Sequence, residues 1–421
     1  MAAVAEYADT TCTPPWLLSR CGGTLMWNPL GVVVSSPTSK NDFGRAHMPS
    51  GKGLRQAGFF DCPGGGQVVV DNGIAYIGHM RAPHGTSVVD VRDPKNPRLL
   101  AKLEVAGGTH SHKVRVSNGV MIVNHEVNRV DSSPIPADWK GGIGIWDVST
   151  PTAPRQMKRW EVTGGIGVHR FDFDGRHVYM SPTVDGYVGN IMMIMDLKEP
   201  SRPEEVGRWW LPGQHTAGGE KATWDKSAHR VHHPLRMGNR LYTSCWLAGF
   251  AILDISDMTK PKFVSGLDWS PPFTCPTHTA LPLPYEINGR RYLLVADEDV
   301  FRSETETAAF MWMVDITDER NPVPVSSFQV EGIAGKPAPT MTGCHQPCEK
   351  VLGTEIPFAW FAQGMRIIDI KNPQAPKEVA WFMPDLQPGQ SRVSSNDITV
   401  DERGLFYLID RVRGLSIVER V

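Results

Sequence analysis

The stretch VVDVRDPKNPRLLAKLEV, residues 88–105, contains an apolar run that ends in Asp90, a polar turn, and Pro97 seven positions after the aspartate. The same arrangement occurs five more times along the chain. The six aspartates are Asp90, Asp147, Asp196, Asp254, Asp315 and Asp369, and the matching prolines are Pro97, Pro154, Pro203, Pro261, Pro322 and Pro376. An aspartate can accept hydrogen bonds from its own turn and a proline fixes φ, so we interpret both residues as structural.

These signatures recur every 49 to 61 residues, and a seventh copy, GLSIVERV at residues 414–421, ends the chain with Glu419 in place of the aspartate. Two strand-like runs joined by a tight turn precede each signature, as in HKVRVSNGVMIVNHE at residues 112–126, and one more strand follows it. Four short strands per repeat, with almost no helical periodicity, are typical of a propeller blade. The sequence therefore predicts an all-β fold, a single seven-bladed β-propeller with four-stranded blades.

The last copy lacks its outer strand. The segment RQAGFFDCP, residues 55–63, is similar to the other outer strands, and we predict that it pairs with the last blade and closes the ring, which removes an exposed edge. The predicted domains are residues 55–421, which form the propeller, and residues 1–54, which form an N-terminal arm. We expect this arm to pack on the propeller or on a partner subunit, and a homo-oligomer would form through it.

The repeated signature resembles that of the LVIVD-repeat β-propeller family, from about Gln67 to Val421. The resemblance implies a propeller. It implies little about activity, because one fold hosts many functions, so the functional hypothesis rests on the residues.

Composition excludes several classes of function. The net charge of −2 and the pI of about 6.7 argue against nucleic acid and anionic membrane surfaces as partners. No stretch approaches eighteen apolar residues, as a membrane-spanning helix requires, and the N-terminus lacks the pattern of a signal peptide. Seven cysteines, an odd number, favour free thiols in the cytoplasm over a disulfide scaffold.

Histidine opens the innermost strand of most repeats. When the repeats are aligned by their turns, the residues at this position are Gln67, His112, His169, His232, His278, His345 and Asn396. Five of the seven are histidine, although the chain has only 14 histidines in 421 residues. Innermost strands line the channel of a propeller, so these side chains are expected to converge on the axis.

A crowded group of imidazoles must be mostly neutral, and neutral imidazole is a metal ligand. The predicted metal ligands are His112, His169, His232, His278 and His345, with His229 or His233 as substitutes for His232. Such ligands suit a divalent transition metal; iron is favoured, and zinc, manganese or copper would also fit. The alternative is that these histidines only hydrogen-bond inside a wet channel.

The predicted catalytic residues lie around the same position: His110, His229, Glu126 and Asp297. Folding each hairpin about its turn places Glu126 near His110 and His112, and it places Asp297, Glu298 and Asp299 near His278. These carboxylates could orient ligating histidines, transfer protons or solvate the channel mouth.

The residues thus predict a metal-dependent enzyme acting on a small, partly apolar organic molecule in the channel. A non-haem oxidoreductase of the oxygenase type is favoured; the arrangement is similar to that of the carotenoid-cleaving oxygenases, which hold iron with four histidines on a propeller axis, backed by glutamates. The first alternative is a lyase or hydrolase in which His110 or His229 moves the proton. The second is a non-catalytic interaction scaffold.

Overall fold

The computed structural model describes residues 50–62, 64–224 and 229–421. Regular structure in these ranges is almost entirely β, with one short 3-10 turn at Thr216–Gly218. The strands are β1 (Ser50–Lys52), β2 (Leu54–Phe60), β3 (Gly65–Asp71), β4 (Ile74–His79), β5 (His84–Asp90), β6 (Arg98–Glu104), β7 (Thr109–His110), β8 (Val114–Ser117), β9 (Val120–Val127), β10 (Gly142–Asp147), β11 (Arg155–Glu161), β12 (Val168–Phe173), β13 (His177–Pro182), β14 (Met192–Asp196), β15 (Glu204–Trp209), β16 (His229–Met237), β17 (Arg240–Trp246), β18 (Phe250–Asp254), β19 (Lys262–Leu267), β20 (Thr277–Pro282), β21 (Tyr292–Asp297), β22 (Met311–Asp315), β23 (Val323–Phe328), β24 (Gln346–Pro347), β25 (Glu355–Ala359), β26 (Met365–Asp369), β27 (Lys377–Met383), β28 (Ser395–Val400), β29 (Phe406–Asp410) and β30 (Gly414–Arg420).

Strands that follow each other in the chain pair antiparallel within each repeat. The repeats are β3–β6, β7–β11, β12–β15, β16–β19, β20–β23, β24–β27, and β28–β30 together with β2. In the second repeat the innermost strand is split into β7 and β8, which both pair with β9. A single pair, Trp246 opposite Thr277, also links β17 to β20 and joins two repeats into one eight-stranded sheet. The described strands therefore form six sheets in a propeller-like all-β fold.

The hairpin turns follow from local sequence. Asn118 and Gly119, between β8 and β9, have φ values of 52° and 75°. Two successive positive φ values define the type I′ turn, whose twist matches antiparallel strands and which Asn-Gly favours. Asn72–Gly73 and Asn288–Gly289 repeat the same pattern.

The repeated aspartates have the structural role that the sequence predicted. Each side chain accepts a hydrogen bond from the backbone N–H two residues later, at 2.8 to 3.1 Å. The donors are the N–H groups of Arg92, Ser149, Lys198, Ser256, Thr317 and Lys371. The aspartate thus satisfies a backbone donor in the turn that leaves the third strand of each repeat.

The terminal strands of the described chain lie side by side. β2 pairs with β30, from Leu54 opposite Arg420 to Phe60 opposite Leu415. This is the pairing that the sequence predicted for the segment beginning near Arg55. Residues 50–52, which the sequence assigned to the arm, form β1 and pair with β27. The remainder of the predicted arm, residues 1–49, lies outside the described residues.

The apolar core lies between neighbouring repeats. Ile77 and Val89 of the first repeat are fully buried against Ile409 and Ile417 of the last. Each innermost strand contacts the innermost strand of the next repeat, and β28 contacts β3. Among the described residues, no helix is long and apolar enough to span a membrane.

Candidate metal centre

The positions that open the innermost strands coincide with irregularities in strand pairing. In five repeats the register shifts there: between Gly65 and Val68, Val168 and Phe171, His229 and His233, Thr277 and Thr279, and Ser395 and Asp397. A bulge leaves a residue unpaired and re-aims its side chain, and bulges are common beside active sites. In the other two repeats His112 falls in the gap between β7 and β8, and His345 directly precedes β24.

The five histidines lie together as the alignment predicted. We call His112, His169, His232, His278 and His345 the histidine cluster. The centroids of successive rings are 5.2, 4.8, 4.5 and 4.3 Å apart in chain order. His110 adds a sixth ring, 4.1 Å from that of His112. Histidines that are far apart in sequence are therefore adjacent because each opens the innermost strand of its repeat.

Hydrogen bonds fix which ring nitrogen carries the proton in three of these histidines. His169 Nδ1 donates to the Glu126 carboxylate at 2.8 Å, and His232 Nδ1 donates to the carbonyl of His278 at 2.9 Å. His345 Nδ1 donates to the carbonyl of Asn396. A carbonyl or carboxylate oxygen can only accept, so each Nδ1 carries the hydrogen and each neutral ring has its lone pair on Nε2.

In His278 the ring hydrogen also lies on Nδ1, and a chain of hydrogen-bonded side chains determines this. Gln346 Nε2 donates to Glu349 at 2.7 Å, which directs Gln346 Oε1 towards the hydroxyl of Thr279. That hydroxyl donates to Gln346 at 3.0 Å and so accepts from His278 Nδ1 at 2.9 Å. His278 therefore also has its lone pair on Nε2.

His112 differs from the other four. The backbone N–H of Lys113 donates to Asn124 Oδ1 at 2.8 Å, and Asn124 Nδ2 donates to the Val168 carbonyl at 2.9 Å. The amide is therefore oriented with its NH₂ group 3.3 Å from His112 Nδ1. His112 Nδ1 is then the acceptor, and the hydrogen of the neutral ring lies on Nε2.

Burial keeps the cluster uncharged. It lowers the pKa of His169 to about 4 and lowers the pKa values of His112, His232, His278 and His345 well below the ordinary value. Neighbouring charges, such as that of Arg170, add to this effect at His232 and His278. The imidazoles are neutral at pH 7, which is the state that binds metals.

Two lone pairs and one carboxylate meet in the cluster. His169 Nε2 lies 3.0 Å from His232 Nε2. Glu298 reaches the other two rings, with Oε1 3.5 Å from His345 Nε2 and Oε2 3.9 Å from His278 Nε2. Ligand atoms of His232, His278 and Glu298 all lie within 4.8 Å of one another, and so do those of His110, His112 and Glu126.

Glu126, a predicted catalytic residue, holds two histidines. Its Oε2 accepts from His169 at 2.8 Å and from His110 Nε2 at 3.0 Å. Burial raises the pKa of this carboxyl, but its interactions with His169 and His110 outweigh burial and leave the pKa below its usual range. Glu126 is therefore an ionised acceptor that orients the ring of His169.

We expect Glu126→Gln to weaken metal binding roughly 10–100-fold, because a carboxylate behind a ligating histidine fixes its tautomer and raises its basicity. Competition against a fluorescent chelator measures this. Glu161→Gln is the matched control, since Glu161 lies on β11 of the same sheet with a 42% exposed side chain. Equal metal affinities for the two variants would contradict the role given to Glu126.

The two other predicted catalytic residues lie at the edge of the site. Asp297 accepts from Trp312 Nε1 at 2.8 Å and from Thr277 Oγ1 at 3.1 Å, and burial raises its pKa to about 7. The next residue, Glu298, is the one that faces the histidines, because successive side chains of a strand point to opposite sides. His229 opens β16 and stacks on Trp224, with ring centroids 4.7 Å apart.

Beyond the cluster, the innermost strands carry a group of buried ion pairs that the sequence analysis missed. Arg170 Nη2 lies 2.6 Å from Glu349 Oε1, Arg115 pairs with the other oxygen, and His233 Nδ1 lies 3.6 Å away. Glu349 comes from the sixth repeat, whereas its arginines come from the second and third. We call the part of the innermost strands that carries Arg115, Arg170, His233 and Glu349 the ion-pair end. The sequence did contain a signal for this group, because Arg170 and His233 directly follow cluster histidines.

Comparison with known proteins supports the sequence resemblance. The sequence model of the LVIVD repeat matches residues 137–162 and 237–268, which include the signatures at Asp147 and Asp254. No curated protein gives a significant match.

Two solved structures show the fold. The β-propeller domain of Cps50 (Swd1) from Myceliophteria thermophila is 12% identical, with a TM-score of 0.52 over 87% of this chain and 99% of that one. A chain of the mitotic checkpoint complex is 13% identical, with a TM-score of 0.53 over 92% of this chain and 99% of that one. Such distant similarity concerns architecture and not activity. This chain thus carries LVIVD repeats, as its sequence predicted, in a propeller-like all-β fold.

Proposed function

We propose that this protein is a metal-dependent enzyme that acts on a small organic molecule at the histidine cluster, as a non-haem oxidoreductase of the oxygenase type. The observation that supports this proposal most directly is the contact between His169 Nε2 and His232 Nε2, which lie 3.0 Å apart. The proposed ligands are the Nε2 atoms of His169, His232, His278 and His345, from four consecutive repeats.

Two neutral imidazoles cannot make this contact favourably. Both Nδ1 atoms already donate to oxygen acceptors, so neither Nε2 carries a hydrogen, and two lone pairs face each other. A proton or a metal cation must compensate. Burial lowers the pKa values of both rings, which disfavours the proton. Ligands held about 2.0–2.1 Å from one ion lie roughly 3 Å apart, as these nitrogens do.

The donor set indicates which metals would fit. Four neutral imidazoles with a carboxylate nearby suit iron, copper or zinc better than magnesium or calcium, which prefer oxygen ligands. Iron remains our favoured metal, with zinc, manganese and copper as the other candidates. A redox metal held here would supply electrons for dioxygen chemistry. Glu126 would orient His169, and Glu298 would lie beside His278 and His345 as a negative charge next to the ion.

We also propose that the chain closes as a seven-bladed propeller with the cluster on its axis. Support comes from the seven antiparallel repeats, from the pairing of β2 with β30, and from the contact of β28 with β3. The five described cysteines, Cys62, Cys245, Cys275, Cys344 and Cys348, are buried and unpaired. This fits the reducing cytoplasm that we propose as the compartment.

A lyase or hydrolase is the second candidate, and His110 favours it. His110 Nε2 donates to Glu126 at 3.0 Å, so its lone pair lies on Nδ1. That Nδ1 is buried without a hydrogen-bond partner among the described residues. A histidine oriented by a carboxylate, with its other nitrogen available, can act as a general base. In that case the metal would polarise a carbonyl or carboxylate of the substrate.

The test is elemental analysis of protein purified without added metal, followed by an assay for oxygen consumption. We expect about one transition-metal ion per chain. Iron or copper together with oxygen-dependent turnover supports the oxygenase. Zinc or manganese, or full turnover under strict anaerobiosis, rejects it in favour of the lyase or hydrolase. Protein that binds none of these metals in equilibrium dialysis contradicts both.

A further inference from the structure

The residues that directly follow the four proposed ligands in the sequence meet at one carboxylate. They are Arg170, His233, Thr279 and Gln346, one from each of four consecutive repeats. Glu349 Oε1 lies 2.6 Å from Arg170 Nη2 and 3.6 Å from His233 Nδ1. The same oxygen accepts from Gln346 Nε2 at 2.7 Å, and Gln346 Oε1 accepts from the hydroxyl of Thr279 at 3.0 Å. The ion-pair end is therefore linked to all four innermost strands that carry the proposed ligands.

His278 differs from the other three proposed ligands in the group that accepts its Nδ1 hydrogen. In His169, His232 and His345 that group is a carboxylate or a backbone carbonyl, which can only accept. In His278 it is the hydroxyl of Thr279, at 2.9 Å. A hydroxyl can donate or accept, so the hydrogen position in His278 depends on the partner that takes the hydroxyl hydrogen.

Gln346 is the partner that takes the hydroxyl hydrogen. Its Nε2 donates to Glu349 at 2.7 Å and to the carbonyl of Pro347 at 3.0 Å, so both of its N–H groups face oxygen acceptors. These two bonds hold the amide with Oε1 towards the Thr279 hydroxyl. The hydroxyl donates there, and its oxygen is left to accept from His278.

On the other side of the ring, an oxygen of Glu298 competes for the same hydrogen. Glu298 Oε2 lies 3.9 Å from His278 Nε2, and the side chain of His278 is only 2% exposed. Without an acceptor at Nδ1, a hydrogen there would be buried and unpaired, which costs free energy, whereas a hydrogen on Nε2 would face Glu298. The ring would then present an N–H at Nε2, and a protonated nitrogen has no lone pair for a metal.

We propose that Thr279 and Gln346 are positioning residues of the metal centre. Anchored by Glu349, they hold the ring hydrogen of His278 on Nδ1, against the pull of Glu298, and so keep the Nε2 lone pair available to the metal. This inference rests on the proposed function, because it assigns both residues a role towards the same metal. It adds that a hydrogen-bonded chain from the ion-pair end decides whether His278 can be a ligand.

The experiment measures the position of the ring hydrogen and the metal affinity separately. Long-range proton–nitrogen NMR spectra of the metal-free full chain, with isotope-labelled histidine, report which nitrogen carries the hydrogen, and a His278→Gln spectrum identifies the signal of His278. Competition against a fluorescent chelator measures the affinity for Zn²⁺, the probe metal. We expect Thr279→Val and Gln346→Met to move the hydrogen to Nε2 and to weaken Zn²⁺ binding roughly 10–100-fold.

Two controls separate this role from packing. Thr279→Ser keeps the hydroxyl, so it should retain both the hydrogen on Nδ1 and the Zn²⁺ affinity of the wild type. Thr243→Val makes the same change at another fully buried threonine, on β17, whose hydroxyl has no hydrogen-bond partner among the described residues. It should leave the hydrogen position and the Zn²⁺ affinity unchanged.

The outcomes separate this proposal from the proposed function. If the protein binds Zn²⁺ but the hydrogen stays on Nδ1 in Thr279→Val and Gln346→Met, the positioning role is wrong and the metal centre stands. The same conclusion follows if Thr279→Ser or Thr243→Val loses as much Zn²⁺ affinity as Thr279→Val. A hydrogen that moves without any loss of affinity would show that His278 is not a ligand and would also overturn the proposal. If the wild type binds no metal while the hydrogen moves as expected, the proposed function fails and the control of the His278 hydrogen by Thr279 and Gln346 stands.

Discussion

Replacing His232 with alanine is expected to abolish stoichiometric metal binding, whereas replacing His112 with alanine leaves the metal bound. His232 presents a lone pair on Nε2, 3.0 Å from that of His169, so its loss removes a ligand. His112 already uses its Nδ1 lone pair on Asn124. The loss for His232→Ala should exceed the roughly 10–100-fold effect of removing a residue behind a ligand. Mass spectrometry of the metal content measures both variants.

Stability distinguishes metal loss from misfolding. A metal that binds only the folded chain stabilises it by about 2.7 kcal/mol when the free metal is 100 times Kd. A chelator should therefore lower the melting temperature of the wild type and of His112→Ala but not that of His232→Ala. His215→Ala is the control, because His215 stacks on Tyr187, with centroids 4.5 Å apart, away from the cluster. Unchanged metal content in His232→Ala would refute the four-histidine centre.

Glu349→Gln is expected to destabilise the protein by about 3–5 kcal/mol, because removing one partner of a buried ion pair leaves the other charge uncompensated. The side chain of Arg170 is 1% exposed and that of Arg115 is 14% exposed, and both pair with Glu349. Denaturant-induced unfolding monitored by tryptophan fluorescence measures the loss.

The control for this prediction is an exposed pair. Glu205 and Arg208 lie 2.6 Å apart with side chains about one-third exposed, so Glu205→Gln should cost no more than about 1 kcal/mol. Replacing both charges by apolar residues, as in Glu349→Leu with Arg170→Met, should restore part of the loss, since the fully buried Arg170 charge is then not left unpaired and Arg115 still lies 3.7 Å from Asp172. Equal destabilisation by Glu349→Gln and Glu205→Gln would show that the buried pair has no special role.

Local patterns predicted the elements and the position of the site. The apolar–Asp–Pro signature determined the repeat, because a turn aspartate and a proline act within a few residues of themselves. Aligning the repeats at their turns then located the five cluster histidines, since residues at equivalent positions of repeated strands are brought to equivalent places in the fold. The pairing of the segment near Arg55 with the last strand followed from the missing outer strand of the final copy.

The tertiary structure decided the chemistry at each of these positions. Strand alternation selected Glu298 over Asp297 to face the histidines, and bulges that no local signal marks lie at three of the five cluster histidines, His169, His232 and His278. The proton position in His169 depends on Glu126 of another repeat, and that of His112 depends on the amide of Asn124. Glu349 meets arginines more than 170 residues away. Hydrogen bonds and ion pairs form between atoms a few ångströms apart in space, so a sequence read along the chain supplies the groups, and only the packed repeats decide which of them meet.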